Sequence, residues 1–390
     1  MRVLLVAATT GYQTRVFSKV AQEIGLEIVP ATDRCHSLDD PWGDNAIPVR
    51  FDNPADGLEH AESRGPFDGI VAVGDKPAYA AAFLAEQLGL KFSPAEAVHA
   101  ARNKFLAREN FRTAGLRTPG YKLVEKLDVD VNFPCVLKPL GLSGSRGVIR
   151  ANDPSEYKRA FARIADIAEP PLLVEDFIPG HEYALEGIVT DGRLRVLALF
   201  DKPDPLDGPF FEETIYVTVP EQRAISETAQ QAVTALGLTD GPVHAEMRVN
   251  DLGVWMLEVA ARPIGGLCSR VLRFAGGVSL EELILRHAVG EDISGATLEA
   301  GAHGVMMIPI PREGIFESAS GIEDAQAIPD VEDVVITAKQ GQAMIPLPEG
   351  ASYLGFIFSR AETPEGAVAA LRRAHGCLKF NFALTLPVVK

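Results

Sequence analysis

"VHAEMRVNDLGVWMLEVAARPIGG", residues 243–266, reads as two strands flanking the turn Asn250-Asp251-Leu252-Gly253. Each strand carries one glutamate in a mostly apolar run, Glu246 on the first and Glu258 on the second. If the hairpin connection has odd length centred on Leu252, the two lie directly opposite on one face, because facing positions of an antiparallel pair share a side; the other register leaves Glu258 alone among Val254, Trp255 and Leu257. Two carboxylates converging in an apolar sheet repel and cost energy unless a cation lies between them. Hard oxygen ligands select Mg2+, which keeps waters and bridges to substrate phosphates. Arg262 follows Glu258 by four residues, and Gly265 and Gly266 supply flexible backbone beyond it. An arginine beside a magnesium pair suits a transferring phosphoryl group. A salt-bridged hairpin explains the same residues when they are taken alone.

Upstream, "FPCVLKPLGLSGSRGV" (133–148) places Lys138 inside what reads as a buried strand, followed by Gly141, Gly144 and Gly147. A charge in an apolar run is costly unless paired. The order excludes a P-loop, whose lysine follows its glycines. Two readings remain. Lys138 is a solvated residue on a surface strand before a hairpin turn, or it points at a nucleotide phosphate beneath a glycine- and serine-rich flap. In the second reading the missing side chains let backbone N–H groups approach phosphate oxygens. "LLVEDFIPGHEY" (172–183) leaves an apolar strand through Glu175, Phe177 and Ile178 and turns at Pro179-Gly180 onto Glu182. Exposed backbone, an aromatic and a carboxylate at a strand end can cradle a purine, and a second carboxylate can accept from ribose hydroxyls.

Composition sets bounds on these readings. A chain of 390 residues exceeds one hydrophobic core, so two or three domains are expected. Hydrophobic residues make up 47% and charged residues 23%, which is ordinary for a globular protein. The balance of 37 basic against 53 acidic residues gives −16, arguing against nucleic acid or an anionic membrane as partner. "MRVLLVAATTG" is too short an apolar opening for a signal peptide or a membrane span. Four cysteines, Cys35, Cys135, Cys268 and Cys377, lie far apart without CxxC spacing, so reduced thiols and a cytoplasmic location are expected. The eight histidines form no HxxxH or HxH pair, and none is assigned to a metal.

Residues 1–100 alternate strand and helix as a parallel βαβ layer, with strands "RVLLVAA", "LEIVPA" and "FDGIVAVG" and helices over 14–24 and from Asp75. The first turn lacks GxGxxG, so a dinucleotide fingerprint is absent. "SPAE" (93–96), "DPSE" (153–156) and "SLEE" (279–282) predict helix starts and helices near 94–101, 154–165 and 280–288. Between them fall mostly antiparallel strands at 135–138, 147–151, 172–176, 183–190, 194–200, 243–249 and 254–260. From 301 onward, "GVMMIPIP", "DVVITAKQG" and "YLGFIFSRA" predict strands, and "TPEGAVAALRRAH" predicts a Thr-capped helix.

In order, "ARNKF", "VLKP" with its glycine flap, "VEDFIPGHEY" and "LEVAARPIGG" resemble the ATP-grasp superfamily over roughly 100–290. "GVMMIPIP" and "GASYLGFIFSRAETPEGAVAALRRAH" look similar to the terminal domain of bacterial L-amino acid ligases of the alanine–anticapsin ligase type. The resemblance implies an α/β and α+β chain with a Rossmann-like pre-ATP-grasp domain (1–100), an ATP-grasp core (101–300) and a small α+β C-terminal domain (301–390). It implies ATP phosphate contacts from Lys104 and Lys138, and a lid from Gly141 to Gly147 that includes Ser143, Gly144 and Ser145. Glu175 would meet the adenine amino group, Asp176, Phe177 and Ile178 the ring edge, and Glu182 the ribose. Glu246 and Glu258 would hold Mg2+, or Mn2+ in its place. Arg262, aided by backbone near Gly265 and by Lys138, would stabilise the transferred phosphate. One departure stands out: two residues past Glu258, many members carry a metal-binding asparagine, and here the residue is Ala260.

The implied reaction is an ADP-forming carboxylate–amine ligation of small, amino-acid-like metabolites through an acyl phosphate, in a homodimer. A purine-pathway ATP-grasp ligase and a nucleotide-binding regulatory protein without turnover are the alternatives. The absence of a biotin-attachment "MKM" disfavours a self-contained carboxylase.

Overall fold

The computed structural model describes residues 1–8, 12–34, 45–127, 130–203, 214–350 and 352–383. Thr9, Thr10, Gly11 and Cys35 therefore lie outside the described residues. The chain opens on a four-stranded sheet in which Arg2–Ala7 lies between Glu27–Thr32 and Gly69–Val73, with Ile47–Pro48 at one edge. All its pairings are parallel, as the βαβ reading requires. The strand Arg2–Ala7 is buried over Val3–Ala7, matching its continuous apolar run. Helices Tyr12–Glu23 and Asp75–Leu88 follow strands of this layer.

The central feature is an eight-stranded sheet. Its strand order is Gly253–Ala260, Gly241–Asn250, His181–Thr190, Arg193–Lys202, Ile215–Val219, Ala302–Ile308, Gly355–Ala361, Val331–Ile336. The three strands expected of the C-terminal part thus continue the sheet that carries Glu246 and Glu258, through antiparallel pairing of Ile215–Val219 with Ala302–Ile308. A smaller sheet of Tyr121–Val124, Leu172–Asp176, Cys135–Pro139 and Ile149–Ala151 holds Lys138 and Glu175 side by side on adjacent strands.

The helix caps divide into those the sequence places well and one it does not. Asp153 accepts from the N–H groups of Ser155 and Glu156, Ser279 from Glu282, and Thr363 from Gly366. Ser93 does not cap. The helix begins at Ala95, whose N–H is taken by Glu86 instead. The Ser93 hydroxyl turns away to accept from Thr239 and Asp240 N–H and to donate to the Asp240 carbonyl. A long-range partner outcompetes the local one because it satisfies two backbone donors at once. Four helices, Leu58–Arg64, Lys104–Thr113, Arg223–Leu236 and Ile322–Gln326, have no counterpart in the sequence reading. Cys135, Cys268 and Cys377 are free thiols.

Ser93→Ala leaves the Thr239 and Asp240 N–H groups without their acceptor in a buried setting. The expected loss is about 2 kcal/mol in denaturant unfolding. A loss under half that would show that water replaces the hydroxyl.

Candidate functional site

Glu246 and Glu258 are register partners on adjacent antiparallel strands. The turn between them is not the odd-length connection that would set them opposite by itself. Asn250 pairs with Gly253, leaving a two-residue turn of Asp251 and Leu252. An unbroken ladder from that turn would set Leu257 opposite Glu246 and put Glu258 on the other face. A β-bulge at Leu257, between the Met247–Met256 and Glu246–Glu258 pairs, restores the facing carboxylates. The bulge aims both acids into one cavity of about 510 Å³.

The neighbouring strand completes the electrostatics. His244 faces Glu186, and Arg248 faces Glu182, as cross-strand pairs flanking Glu246. Lys202 Nζ lies 2.8 Å from Glu182 and 3.0 Å from Glu246, both at Oε1. Arg248 Nε donates to Glu182 at 2.9 Å, and its Nη1 donates to the Ile178 carbonyl at 2.9 Å. His244 Nδ1 pairs with Glu186, and its Nε2 stands 3.4 Å from Glu246. Burial alone would lower the His244 pKa, but the Glu186 carboxylate outweighs it and raises it to about 9. Burial opposes ionisation of Glu246, yet Lys202 and His244 hold its carboxyl well below the usual carboxylate range. His244 and Glu246 therefore both carry their charges at neutral pH.

At the other side, Glu175 is fully buried between two cations. Lys138 Nζ is 2.6 Å from one of its oxygens and Arg108 Nε is 2.5 Å from the other. Burial pushes against ionisation, but Arg108 and then Lys138 hold Glu175 down to about 2. Its stabilising share is complete above the ordinary value near 4.5 and is lost as pH falls toward 2. Lys138 is thus no solvated surface residue; in this structure the anion it meets is Glu175.

Lys104 Nζ donates to the Leu142 carbonyl at 2.6 Å and lies 3.5 Å from Glu258. It joins the glycine-rich loop to the acidic pair. Arg262 Nε donates to Asp75 at 3.0 Å, and Asp75 stands at the start of a helix. Burial opposes the Arg262 charge, but Asp75 holds its pKa above the ordinary value.

The loop itself needs left-handed backbone at Gly144, Ser145 and Gly147, with φ of 64°, 56° and 69°. A Cβ on Gly147 would also meet Pro139 Cγ at 2.7 Å. Gly147 N–H donates to the Pro348 carbonyl at 2.9 Å, and Arg146 Nε donates to the Glu349 carbonyl at 3.1 Å. Arg163 Nη2 donates to the Glu349 carboxylate at 2.9 Å. The loop is fastened to a segment some two hundred residues later in the chain.

The cavity wall includes Lys104, Lys138, Ser143, Gly144, Ser145, Glu175, Asp176, Phe177, Ile178, Glu182, Glu246, Glu258, Arg262 and Gly265. Gly141 and Gly147 stand outside it and shape the loop. Phe177 lies under the guanidinium of Arg150, 3.9 Å from its ring centre, with Arg248 5.0 Å away. Asp176 accepts from Asn132. Sequence reading missed Asp75, Arg108, Glu186, Lys202, Tyr216, His244 and Arg248. Two signals were available. Asp75 follows the carboxyl end of a parallel strand, where open α/β sheets bind ligands. His244, Glu246 and Arg248 alternate along one strand and therefore share a face. Among the described residues, no cluster of three or more His, Cys, Asp or Glu is arranged to hold a metal. The two facing carboxylates still fit Mg2+, which takes few protein ligands and completes its shell with water and phosphate.

Comparison with known proteins names the parts. Residues 131–271 match the ATP-grasp domain, and residues 306–383 match the L-amino acid ligase C-terminal domain 2. The chain is similar to the alanine–anticapsin ligase of Bacillus subtilis, 27% identical over 51% of this chain and 49% of that one. It is also similar to the uncharacterized protein y4rH of Sinorhizobium fredii, 25% identical over 72% of this chain and 61% of the relative. The chain thus spans about half to three fifths of the length of these relatives. Its fold superposes on the L-amino acid ligase from Bacillus licheniformis with a TM-score of 0.82 and 25% identity, covering 98% of this chain and 99% of that one. No helix among the described residues is long and apolar enough to cross a membrane.

Arg146→Ala should free the glycine-rich loop with little effect on global stability, because it removes one partly buried side-chain hydrogen bond to the Glu349 carbonyl, worth about 1 kcal/mol. Amide exchange over residues 141–148 should speed up while the core strands stay protected. Unchanged exchange there would show that the Pro348 contact alone fastens the loop.

Proposed function

We propose that this chain, which carries an ATP-grasp domain and an L-amino acid ligase C-terminal domain, joins the carboxylate of one small amino-acid-like metabolite to the amine of another. The observation that supports this best is the facing of Glu246 and Glu258 in one cavity with Lys104, Lys138 and Arg262. A carboxylate oxygen attacks the γ-phosphorus of ATP, and the bond to ADP breaks. The amine then attacks the acyl carbon, the C–O bond to phosphate breaks, and the amine loses a proton as phosphate leaves.

Each residue has a task in that sequence. Lys104 and Lys138 offset the phosphate charge that would otherwise repel the incoming carboxylate. Glu175, held ionised by Arg108, aims Lys138 and offers an acceptor to the adenine amino group. Asp176, Phe177 and Ile178 line the base, and Glu182, locked by Lys202 and Arg248, presents its carboxylate to the ribose. Arg262, braced by Asp75, stabilises the transferred phosphoryl group with backbone near Gly265. The loop of Gly141, Ser143, Gly144, Ser145 and Gly147 covers the phosphates and excludes water that would hydrolyse the acyl phosphate. Mg2+, or Mn2+ in its place, held by Glu246 and Glu258, would supply charge neutralisation at the phosphates.

Phosphate, ADP and AMP release from MgATP across paired amino acids and small carboxylates tests this reading, with mass spectrometry of products. ADP and phosphate appearing only with certain pairs, plus a product lighter by one water, is the expected result. Ala260, opposite His244 in register, favours the second reading of a nucleotide-binding protein without turnover. Nucleotide binding with no release from any pair would support that one instead.

Two substitutions separate the roles. Lys138→Ala should weaken ATP binding about tenfold or more, through loss of a phosphate cation and of one of the two cations that compensate buried Glu175. Unchanged affinity removes Lys138 from the phosphate site. Glu258→Gln should lower Mg2+-dependent turnover about a hundredfold or more with the melting curve intact. Full activity in that variant would end the metal assignment.

A further inference from the structure

The cavity is charged at one end and neutral at the other. Its neutral end is built where the C-terminal strands join the central sheet. Met307 and Phe356 are register partners on Ala302–Ile308 and Gly355–Ala361, so both side chains stand on one face. Tyr353 packs against Phe356 with ring centres 6.4 Å apart, and Cys268 closes the floor. Burial pushes the Cys268 thiol up to about 12, so it meets a ligand as a neutral, weakly polar group. Thr337 lines the same end, and its buried Oγ1 has no hydrogen-bond partner among the described residues. None of these five side chains carries a charge. The charged groups elsewhere on the wall are already engaged with one another: Arg262 with Asp75, Lys138 with Glu175, Glu182 with Arg248.

The neutral end abuts the place where phosphoryl transfer would occur. Arg262 and Cys268 lie on one short segment, and the Cys268 N–H reaches back toward the Gly265 carbonyl at 3.4 Å. A Cβ built on Gly265, which lies between Arg262 and Cys268 along the chain, would meet nothing within 4 Å, so the cavity is open at that point of the segment. A substrate carboxylate placed at Arg262 would extend its side chain toward Met307, Tyr353 and Phe356. A charged side chain there would lose its hydration against five side chains none of which supplies a counter-ion, whereas an aliphatic or aromatic one would gain buried contact.

We infer that the pocket of Cys268, Met307, Thr337, Tyr353 and Phe356 receives the side chain of the activated amino acid, and that this acyl donor is a bulky, uncharged amino acid. The inference rests on the ligase reading and goes beyond it by fixing the class of the carboxylate substrate. Glycine is disfavoured because it leaves the pocket unfilled. Aspartate, glutamate, lysine and arginine are disfavoured because they bury an unpaired charge.

The test uses hydroxylamine as the common amine, so that the acyl donor alone is varied. ADP release and hydroxamate formation are measured with MgATP and L-leucine, L-methionine, L-phenylalanine, glycine, L-aspartate or L-lysine. The first three should exceed the last three at least tenfold in kcat/KM. If glycine or a charged amino acid matches them while turnover is clear, the pocket assignment falls and the ligase reading stands. If no amino acid releases ADP, with hydroxylamine or with a second amino acid, both fall. Met307→Lys should reverse the preference toward L-aspartate and L-glutamate. Should that variant fail to fold, Thr337→Val, which removes only an unpartnered hydroxyl, should raise the preference for leucine over glutamine several-fold. An unchanged ratio in a folded Thr337→Val protein would overturn the pocket assignment.

Discussion

Leu257 bulges out of its strand, and the geometry of the site depends on that one irregularity. Without it the two-residue turn at Asp251-Leu252 would face Glu246 with a leucine and send Glu258 to the opposite side of the sheet. With it, two acids converge in a sheet whose other residues are chosen for burial. Convergence of that kind is unfavourable by itself, so the surroundings must supply positive charge. They do so from three directions: Lys202 and His244 at Glu246, and Lys104 at Glu258. The arrangement is poised rather than satisfied, because each carboxylate is shared between a protein cation and the open cavity.

The same logic governs the rest of the wall. Glu175 between Arg108 and Lys138, Glu182 between Lys202 and Arg248, and Asp75 against Arg262 are all ion pairs removed from water. Hydrophobic residues of similar volume would hold such positions as well or better, so stability alone does not explain their number. What they provide is fixed side-chain geometry at neutral pH, in a region of low dielectric where fixed charge acts strongly on a ligand. Removing Arg262 leaves Asp75 without its ion-pair partner, and removing one cation from Glu175 or Glu182 leaves a buried acid with half its compensation, which is why single substitutions here are expected to act sharply.

Much of this could be read from the sequence, and the failures have a common cause. Capping at Asp153, Ser279 and Thr363 is a matter of three or four neighbouring residues, and alternation or apolar runs mark most strands. Glu246 and Glu258 were legible as a candidate pair because both lie in one hairpin, but their register was not, and it is the bulge that sets them opposite. Ser93 was misread because its partner, Asp240, is 147 positions away. Asp75, Glu186 and Lys202 were missed for the same reason, since each acts on a residue of another strand or another sheet. Local chemistry is written locally; counter-charges are supplied by topology.

Topology also explains how a C-terminal segment can govern a site it does not chemically build. Ile215–Val219 pairs with Arg193–Lys202 on one side and with Ala302–Ile308 on the other, so the strand bearing Lys202 and the strand bearing Met307 are separated by a single neighbour. Tyr216, on that intervening strand, stands 3.4 Å from Glu246 and presents its ring to Lys202 at 5.0 Å. From the other direction, Pro348 and Glu349 hold the glycine-rich loop through Gly147 and Arg146. The C-terminal residues thus touch the cavity twice, once as its neutral wall and once as the catch on its loop.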